Sequence, residues 1–299
     1  MASAHRFYIF DAFTSKPFSG NPAFIVVLEG DLPDEILQKI SREIPLPITC
    51  FLKRLNKQIY EIRFFTPHEE IGICGHGLIA SAYLLAAENP SSETFQFLSK
   101  AGVLTVESEY FDERKVVFVS QATPTVERAH VDPERVLSAV GLGRDSMGHL
   151  PIEVASVGRP KLMVHLKSLE DLRNIRPDYE EIMEICKITN TTGLHFFTLE
   201  TLEANSVAHA RHFTEAKEGR EDVATGVANA ALAVYLYKHG MIEDFSRVLR
   251  FEQGFFLGRP SEILVKLEVS EGRIEAVKVG GSAVKVAEGN LLLTQDPDP

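Results

Sequence analysis

The chain has 299 residues, of which 44% are hydrophobic and 24% are charged, a composition typical of a globular protein with room for two lobes. The formal net charge of -11 argues against nucleic acids and anionic membranes as partners, although a local positive field could still bind an anionic small molecule. Three cysteines without paired spacing, an N-terminus without signal-peptide features and the lack of an apolar run of ~20 residues predict a cytoplasmic protein without disulfides or membrane spans.

Residues 1–122 are predicted to form an N-terminal lobe made mostly of strands. Short runs rich in aromatic and β-branched residues are typical of strands, whereas the apolar spacing in 34–43 predicts a helix. The run 78–87 is apolar on every face, which is typical of a helix buried on all sides. The predicted strands are 6–13, 23–28, 49–52, 59–65, 95–98, 103–109 and 115–119.

Residues 123–295 are predicted to form a C-terminal lobe with similar elements, after a boundary in the Pro-containing stretch 122–125. A second helix that is apolar on all faces is predicted at 228–236. The last strand could pack with either lobe, and residues 296–299 are expected to be a frayed tail. The other predicted helices are 132–139 and 179–188, and the predicted strands are 152–157, 162–166, 193–199, 206–213, 246–252, 262–268 and 273–286.

Each of the two buried helices follows a short polar segment that contains glycine. The segment 74–77 reads Cys-Gly-His-Gly, and the segment 222–227 reads Asp-Val-Ala-Thr-Gly-Val. Glycine permits tight turns and close approach of a ligand, and the first N–H groups of a helix have no internal acceptor and attract anions. The repetition indicates a duplicated α+β lobe in which a curved sheet wraps around a central helix.

Several distinctive motifs occur along the chain, namely 11–22 (DAFTSKPFSGNP), 64–67 (FFTP) with Glu70, 74–76 (CGH), 221–226 (EDVATG), 253–254 (QG) with 258–261 (GRPS), and 279–284 (VGGSAV). In this order, and over almost the whole chain, they resemble the motifs of the phenazine-biosynthesis (PhzF-like) family. The resemblance implies the diaminopimelate-epimerase-like fold, with two pseudo-symmetric lobes that are each a β-roll or barrel around a central buried helix. It also implies proton transfer without a cofactor, on a small carboxylate-bearing substrate bound between the lobes, and a homodimer.

Two positions depart from the pattern of the family. The stretch 45–50 corresponds to the segment that holds the family's proton-shuttling glutamate, and Ile48 stands in the place of that glutamate. Val227 stands in the place of a family serine, whereas His76 and Asp222 are kept. The phenazine-type reaction is therefore not available to this chain, and Ile48 and Val227 are expected to shape a pocket for a less polar substrate.

Cys74, His76 and Asp222 are the candidate catalytic residues. Proton transfer at carbon needs an acid and a base, and a histidine and a helix N-terminus both favour the thiolate of a nearby cysteine. Cys74 also resembles an acid/base cysteine of diaminopimelate epimerases and proline racemases, whose second cysteine falls at Val223. The alternatives are a buried filler for Cys74, a turn-stabilising role for His76 and a helix cap for Asp222.

The candidate substrate-binding residues are glycines and polar residues next to these three. The backbone N–H groups of Gly75, Gly77, Thr225 and Gly226 are expected to bind the substrate anion, unless these residues only supply turn geometry. Asn21 is a further candidate for substrate contact, and its alternative role is to build the turn in which it lies.

No metal site and no cofactor are predicted. His209 and His212 are three residues apart on a predicted strand, so their side chains should face opposite sides of the sheet. Cys50 and Cys186 have no partners at ligand spacing and are expected in the core.

These observations favour a cofactor-independent isomerase or epimerase that acts on a small anionic carboxylate or carbonyl compound. A cyclase or dehydratase would need only positioning and one acid, and it remains open as a variant. A non-catalytic small-molecule-binding protein is the second hypothesis, since two polar groups of the family are replaced by apolar ones.

Overall fold

The computed structural model of this chain describes residues 3–215 and 221–293, which form two compact units. Unit 1 contains residues 1–119 and 281–299, and unit 2 contains residues 120–280. This division differs from the expected lobes, 1–122 and 123–295, because the last strand pairs with the first strand along its whole length. The expected frayed tail at 296–299 lies outside the described residues.

Strands make up most of both units. The strand predicted at 273–286 is in fact two strands separated by Ser282, whose carbonyl oxygen accepts a hydrogen bond from Phe13 N–H at 2.8 Å. The strands are β1 (Ser3–Ala12), β2 (Asn21–Leu28), β3 (Thr49–Arg54), β4 (Ile59–Phe65), β5 (Glu70–Ile71), β6 (Thr94–Ser99), β7 (Gly102–Phe111), β8 (Arg114–Ser120), β9 (Thr125–Arg128), β10 (Glu153–Ser156), β11 (Lys161–His165), β12 (Gly193–Thr198), β13 (Ala208–Thr214), β14 (Glu221–Asp222), β15 (Leu249–Gln253), β16 (Ser261–Ser270), β17 (Arg273–Gly281) and β18 (Ala283–Leu293).

The five helices that the sequence predicts are all present. They are α1 (Asp34–Glu43), α2 (Gly75–Glu88), α3 (Pro133–Ser138), α5 (Tyr179–Thr189) and α6 (Gly226–Lys238), and the additional helix is α4 (Leu169–Arg173). The sequence analysis missed α4 because it has only five residues, although Ser168 accepts a capping hydrogen bond from Asp171 N–H at its start. Within 3–215 and 221–293, every helix is too short or too polar to cross a bilayer.

The two units repeat one order of strand pairing. In unit 1, β2 and β3 are parallel neighbours joined through α1, and β4 and β6 are parallel neighbours joined through α2. In unit 2, β11 and β12 are parallel and joined through α4 and α5, while β13 and β15 are parallel and joined through α6. In each unit an antiparallel pair connects the two parallel pairs. It is β3 with β4 in unit 1 and β12 with β13 in unit 2. The predicted architecture of duplicated α+β units is therefore confirmed.

The central helix of each unit is α2 in unit 1 and α6 in unit 2. Nine residues of α2 and ten residues of α6 are buried, because the apolar side chains leave neither helix a face that favours water. Helix α2 packs against β1, β2, β3 and β18, and helix α6 packs against β9, β10, β11 and β16. Strands of each unit thus pack around its central helix, and the two polar segments identified in the sequence lie at the helix N-termini.

Candidate active site

In unit 1, the candidate residues lie at the N-terminus of α2. Cys74 is the residue before the helix, with an extended backbone (φ -133°, ψ 116°), and its side chain makes no capping hydrogen bond within the described part of the chain. The first backbone hydrogen bond of the helix runs from Leu78 N–H to Cys74 O, at 2.9 Å. The N–H groups of Gly75 and Gly77 therefore point out of the helix end without an intrahelical acceptor. Together with the helix dipole, they give this helix end a partial positive charge.

Cys74 and His76 lie in direct contact at this helix end. The Cys74 sulfur is 3.4 Å from His76 Nδ1 and 3.8 Å from His76 Nε2. Cys74 is 9% exposed and His76 is partly exposed, so a small molecule at the helix end could reach both groups. A thiol and an imidazole at this distance can share and exchange a proton.

Two further candidate residues of unit 1 are buried. Ile48 is 2% exposed, and its carbonyl oxygen accepts a hydrogen bond from Phe24 N–H at 3.1 Å. Asn21 is also 2% exposed and begins β2 opposite Ala12 in the β1–β2 register. Ile48 is thus a buried apolar residue, and Asn21 belongs to the end of a strand rather than to the preceding turn.

In unit 2, the candidate residues lie at the N-terminus of α6. Thr225 precedes the helix, and its side chain makes no capping hydrogen bond with the described residues. Its hydroxyl group instead donates to Asp222 Oδ2 at 2.6 Å. The helix-capping alternative for Asp222 does not match this structure, because Thr225 occupies the cap position. Asp222 is partly exposed, and its carboxylate is held by a hydroxyl donor.

The prediction that the Thr225 backbone N–H binds the substrate anion is wrong. This group donates to Gln253 Oε1 at 3.1 Å, so it is already satisfied and is not an anion ligand. The N–H groups of Gly226 and Val227 are the next in the helix and have no intrahelical acceptor. Val227 is partly exposed in the first turn, which places an apolar side chain at this helix end.

Gln253 and Asn229 are residues of this helix end that the sequence analysis missed. Gln253 Nε2 donates to Asp222 O at 2.7 Å and to Thr225 Oγ1 at 3.1 Å. Asn229 Nδ2 donates to Gln253 Oε1 at 2.8 Å and to Thr225 O at 3.1 Å. Both side chains are 0% exposed, so this amide network fixes the segment that carries Asp222. The sequence signals were an asparagine inside an apolar helix and the Gln-Gly pair of the family motif.

Buried basic groups lie in the same unit as Asp222. Lys161 is 3% exposed and donates to Thr192 O at 3.1 Å and to Thr192 Oγ1 at 2.6 Å. Burial lowers the pKa of Lys161 to about 7, although the Asp222 carboxylate acts in the opposite direction. His195 and His212 are opposite each other in the β12–β13 register, and burial lowers the pKa of His195 to about 3. Both imidazoles are therefore neutral core groups at neutral pH.

His209 and His212 do not form a metal pair. His209 Nδ1 is 2.7 Å from Glu252 Oε2, whereas the His212 ring is 5.4 Å from the ring of His195. This agrees with the prediction that the two side chains leave β13 on opposite sides. Among residues 3–215 and 221–293, no group of three or more His, Cys, Asp or Glu side chains is arranged to hold a metal ion.

Comparison with known proteins gives matches over nearly the whole chain. The family model described as phenazine biosynthesis-like protein matches residues 10–289. A crystal structure of a PhzF-family phenazine biosynthesis protein from Bacillus anthracis superposes with a TM-score of 0.88 at 26% identity, covering 97% of this chain and 100% of that chain. The fold implied by the sequence motifs is therefore confirmed.

Relatives of this chain carry isomerase names, as two examples show. An uncharacterized isomerase of Clostridium acetobutylicum is 30% identical over 302 residues, covering 98% of this chain and 100% of the relative. The trans-2,3-dihydro-3-hydroxyanthranilate isomerase of Pseudomonas aeruginosa is 30% identical over 295 residues, covering 97% of this chain and 100% of the relative. The prediction of an enzyme of the isomerase class is confirmed at this level.

Proposed function

Because the chain belongs to the phenazine biosynthesis-like family, we propose that it is a cofactor-independent isomerase that moves a proton on a small carboxylate- or carbonyl-bearing metabolite. The contact of 3.4 Å between the Cys74 sulfur and His76 Nδ1 is the observation that carries this proposal. This contact supplies an acid/base pair at a helix end that is suited to an anion. The proposal gives the pair the task that the family glutamate has in the phenazine-type reaction.

The substrate carboxylate binds to backbone N–H groups at a helix end. Backbone donors at the start of α2 are the N–H groups of Gly75 and Gly77, and the corresponding donor of α6 is Gly226. Such groups bind anions through hydrogen bonds and the helix dipole together. Binding a carboxylate or carbonyl there also withdraws electrons from the adjacent carbon, which makes its proton easier to remove.

Cys74 acts as the proton carrier at that carbon. Its thiolate removes the substrate proton and becomes a thiol. His76 then exchanges a proton with this thiol and returns Cys74 to its starting state. Asp222 is assigned a further acid/base role. The hydrogen bond from Thr225 Oγ1 holds the carboxylate of Asp222 in one orientation, which is the preorganisation that proton transfer requires.

The apolar substitutions narrow the class of substrate. Ile48 provides no proton carrier, so the reaction cannot follow the route that depends on a glutamate there. Val227 presents a partly exposed apolar side chain at the start of α6. A substrate with an apolar group near its reacting carbon therefore suits this chain better than one with polar groups on both sides.

The proposal is tested by deuterium uptake in D₂O over a panel of small carboxylic, amino and keto acids, followed by NMR. The wild-type protein should incorporate deuterium at one carbon of at least one compound. The variants His76→Ala and Asp222→Asn should lower that rate by roughly a hundredfold or more, whereas the exposed controls His130→Ala and Asp145→Asn should leave it unchanged. Uptake that persists in both site variants would contradict the proposal. Binding of panel compounds without any uptake would support a non-catalytic binding protein instead.

A further inference from the structure

Cys50 brings a second thiol to the helix end that carries Cys74. Gly77 lies between them: a β-carbon built on Gly77 would be 2.6 Å from the Cys50 sulfur and 3.5 Å from the Cys74 sulfur. Both sulfur atoms thus border the same small volume, which is open only because residue 77 has no side chain. The sequence analysis assigned Cys50 to the core, and its side chain is indeed 0% exposed.

The two thiols have different surroundings. Cys74 is 9% exposed and touches the His76 ring, so it is the thiol that a small oxidant can reach. Burial raises the pKa of Cys50 well above its ordinary value, and the neighbouring Cys74 adds to that rise. Cys50 therefore stays protonated beside Cys74. The more exposed thiol, with a base next to it, and the second thiol behind it have the arrangement of an attacking and a resolving cysteine.

We propose that Cys50 and Cys74 are an oxidisable dithiol, which hydroperoxides convert to a disulfide at the N-terminus of α2. The Cys50 side chain extends from β3 and Cys74 immediately precedes α2, so the bond joins the helix end to the sheet that surrounds it. The consequence for activity rests on the proposed function, in which Cys74 carries the substrate proton. The formation of the disulfide itself does not rest on it.

The chemistry is a balanced two-electron oxidation. The Cys74 thiolate attacks one peroxide oxygen, the O–O bond breaks, and the released hydroxide or alkoxide takes up a proton. The sulfenic acid on Cys74 then reacts with the Cys50 sulfur, the S–O bond breaks, and the hydroxide that leaves takes the Cys50 proton as water. Two thiols have lost two electrons and two protons, and one hydroperoxide has been reduced to water and an alcohol, or to two waters in the case of hydrogen peroxide.

Mass spectrometry of the folded protein tests the dithiol directly. After treatment with hydrogen peroxide, the intact chain should lose the mass of two hydrogens, and peptide mapping should find one peptide pair joined through Cys50 and Cys74. A thiol reductant should restore the original mass. The variant Cys186→Ala, which changes the third cysteine, should form the same disulfide, whereas Cys50→Ala and Cys50→Ser should instead accumulate oxygen on Cys74.

The outcomes separate this inference from the proposed function. Oxidation of Cys74 to sulfinic acid in the wild-type protein, with Cys50 still a thiol, would overturn the dithiol. If the disulfide forms and deuterium uptake is lost until a reductant is added, the dithiol and the role of Cys74 are both supported. If the disulfide forms and uptake continues, the dithiol is supported and the acid/base role of Cys74 is wrong.

Discussion

Thr225 donates its hydroxyl hydrogen to Asp222 Oδ2 at 2.6 Å instead of capping the helix that it precedes. A threonine at this position of a helix ordinarily accepts a hydrogen bond from the helix backbone. Here the hydroxyl group donates to the Asp222 carboxylate, and the backbone N–H donates to Gln253 Oε1. The start of α6 is therefore organised around the position of Asp222.

Removal of the Thr225 hydroxyl group should abolish the hydrogen bond that holds the Asp222 carboxylate in place. We expect Thr225→Val to lower the rate of deuterium uptake by at least tenfold, because the Asp222 carboxylate loses the donor that holds it in one orientation. The free energy of unfolding should fall by only about 1 kcal/mol. Thr189→Val is the matched control, since the Thr189 hydroxyl group donates to Ile185 O in α5; it should change stability alone. An equal effect of both variants on the uptake rate would contradict this role.

A side chain on Gly77 should collide with Cys50. The added β-carbon of Gly77→Ala would be 2.6 Å from the Cys50 sulfur, and such overpacking typically costs about 1–3 kcal/mol. Removal of that sulfur in the double variant Gly77→Ala/Cys50→Ala should recover a large part of the loss. Chemical denaturation of the wild type, Gly77→Ala, Cys50→Ala and the double variant gives the coupling energy between residues 77 and 50. Purely additive effects would show that the two residues are not in contact.

A glutamate placed at residue 48 should lower the stability of the fold. Ile48 is 2% exposed, so Ile48→Glu buries a carboxyl group in the place of an apolar side chain. We expect the free energy of unfolding to fall by more than about 2 kcal/mol at pH 7, with a smaller fall at pH 4, where the glutamate is protonated more often. Ile48→Val should cost about 1 kcal/mol at both pH values. A stable Ile48→Glu protein would mean that this position is open to solvent.

Lys161 should make stability depend on pH in the alkaline range. Its pKa is lowered from 10.5 to about 7 by burial, so between these values the unfolded chain binds a proton that the folded chain does not. Stability should therefore rise with pH from about 7 to 10.5, with a slope of up to about 1.4 kcal/mol per pH unit. Lys161→Met should flatten this part of the profile, as measured by thermal or urea unfolding. An unchanged profile in the variant would assign the slope to other groups.

The sequence predicted the two central helices because their composition is unusual in a way that has one structural explanation. A run such as 78–87 has no polar face, so it must be surrounded, and the surrounding strands follow from the flanking β-branched residues. The glycines at 75, 77 and 226 indicated the helix ends, because glycine permits a tight turn next to an apolar run. The contact between Cys74 and His76 also follows from local geometry, since the two residues lie two positions apart at one helix end.

Long-range contacts could not be predicted in this way. Gln253 reaches Thr225 and Asp222 from a strand that is distant in sequence, and nothing in the local sequence specifies which helix end its amide meets. The contact of Cys50 with the volume beside Gly77 is likewise set by the packing of β3 on α2. Such contacts depend on the three-dimensional arrangement of whole elements, and a propensity or a spacing along the chain carries no information about them.

In the proposed reaction, Cys74 carries the substrate proton. This role is measured by the deuterium uptake rate of Cys74→Ala in D₂O with the compound found in the wild-type screen, beside Cys186→Ala as a control for the loss of a buried thiol. We expect Cys74→Ala to lose uptake by roughly a hundredfold or more while it remains folded by circular dichroism, and we expect Cys186→Ala to retain the wild-type rate. Full uptake in Cys74→Ala would show that this thiol is a structural residue and does not carry the proton.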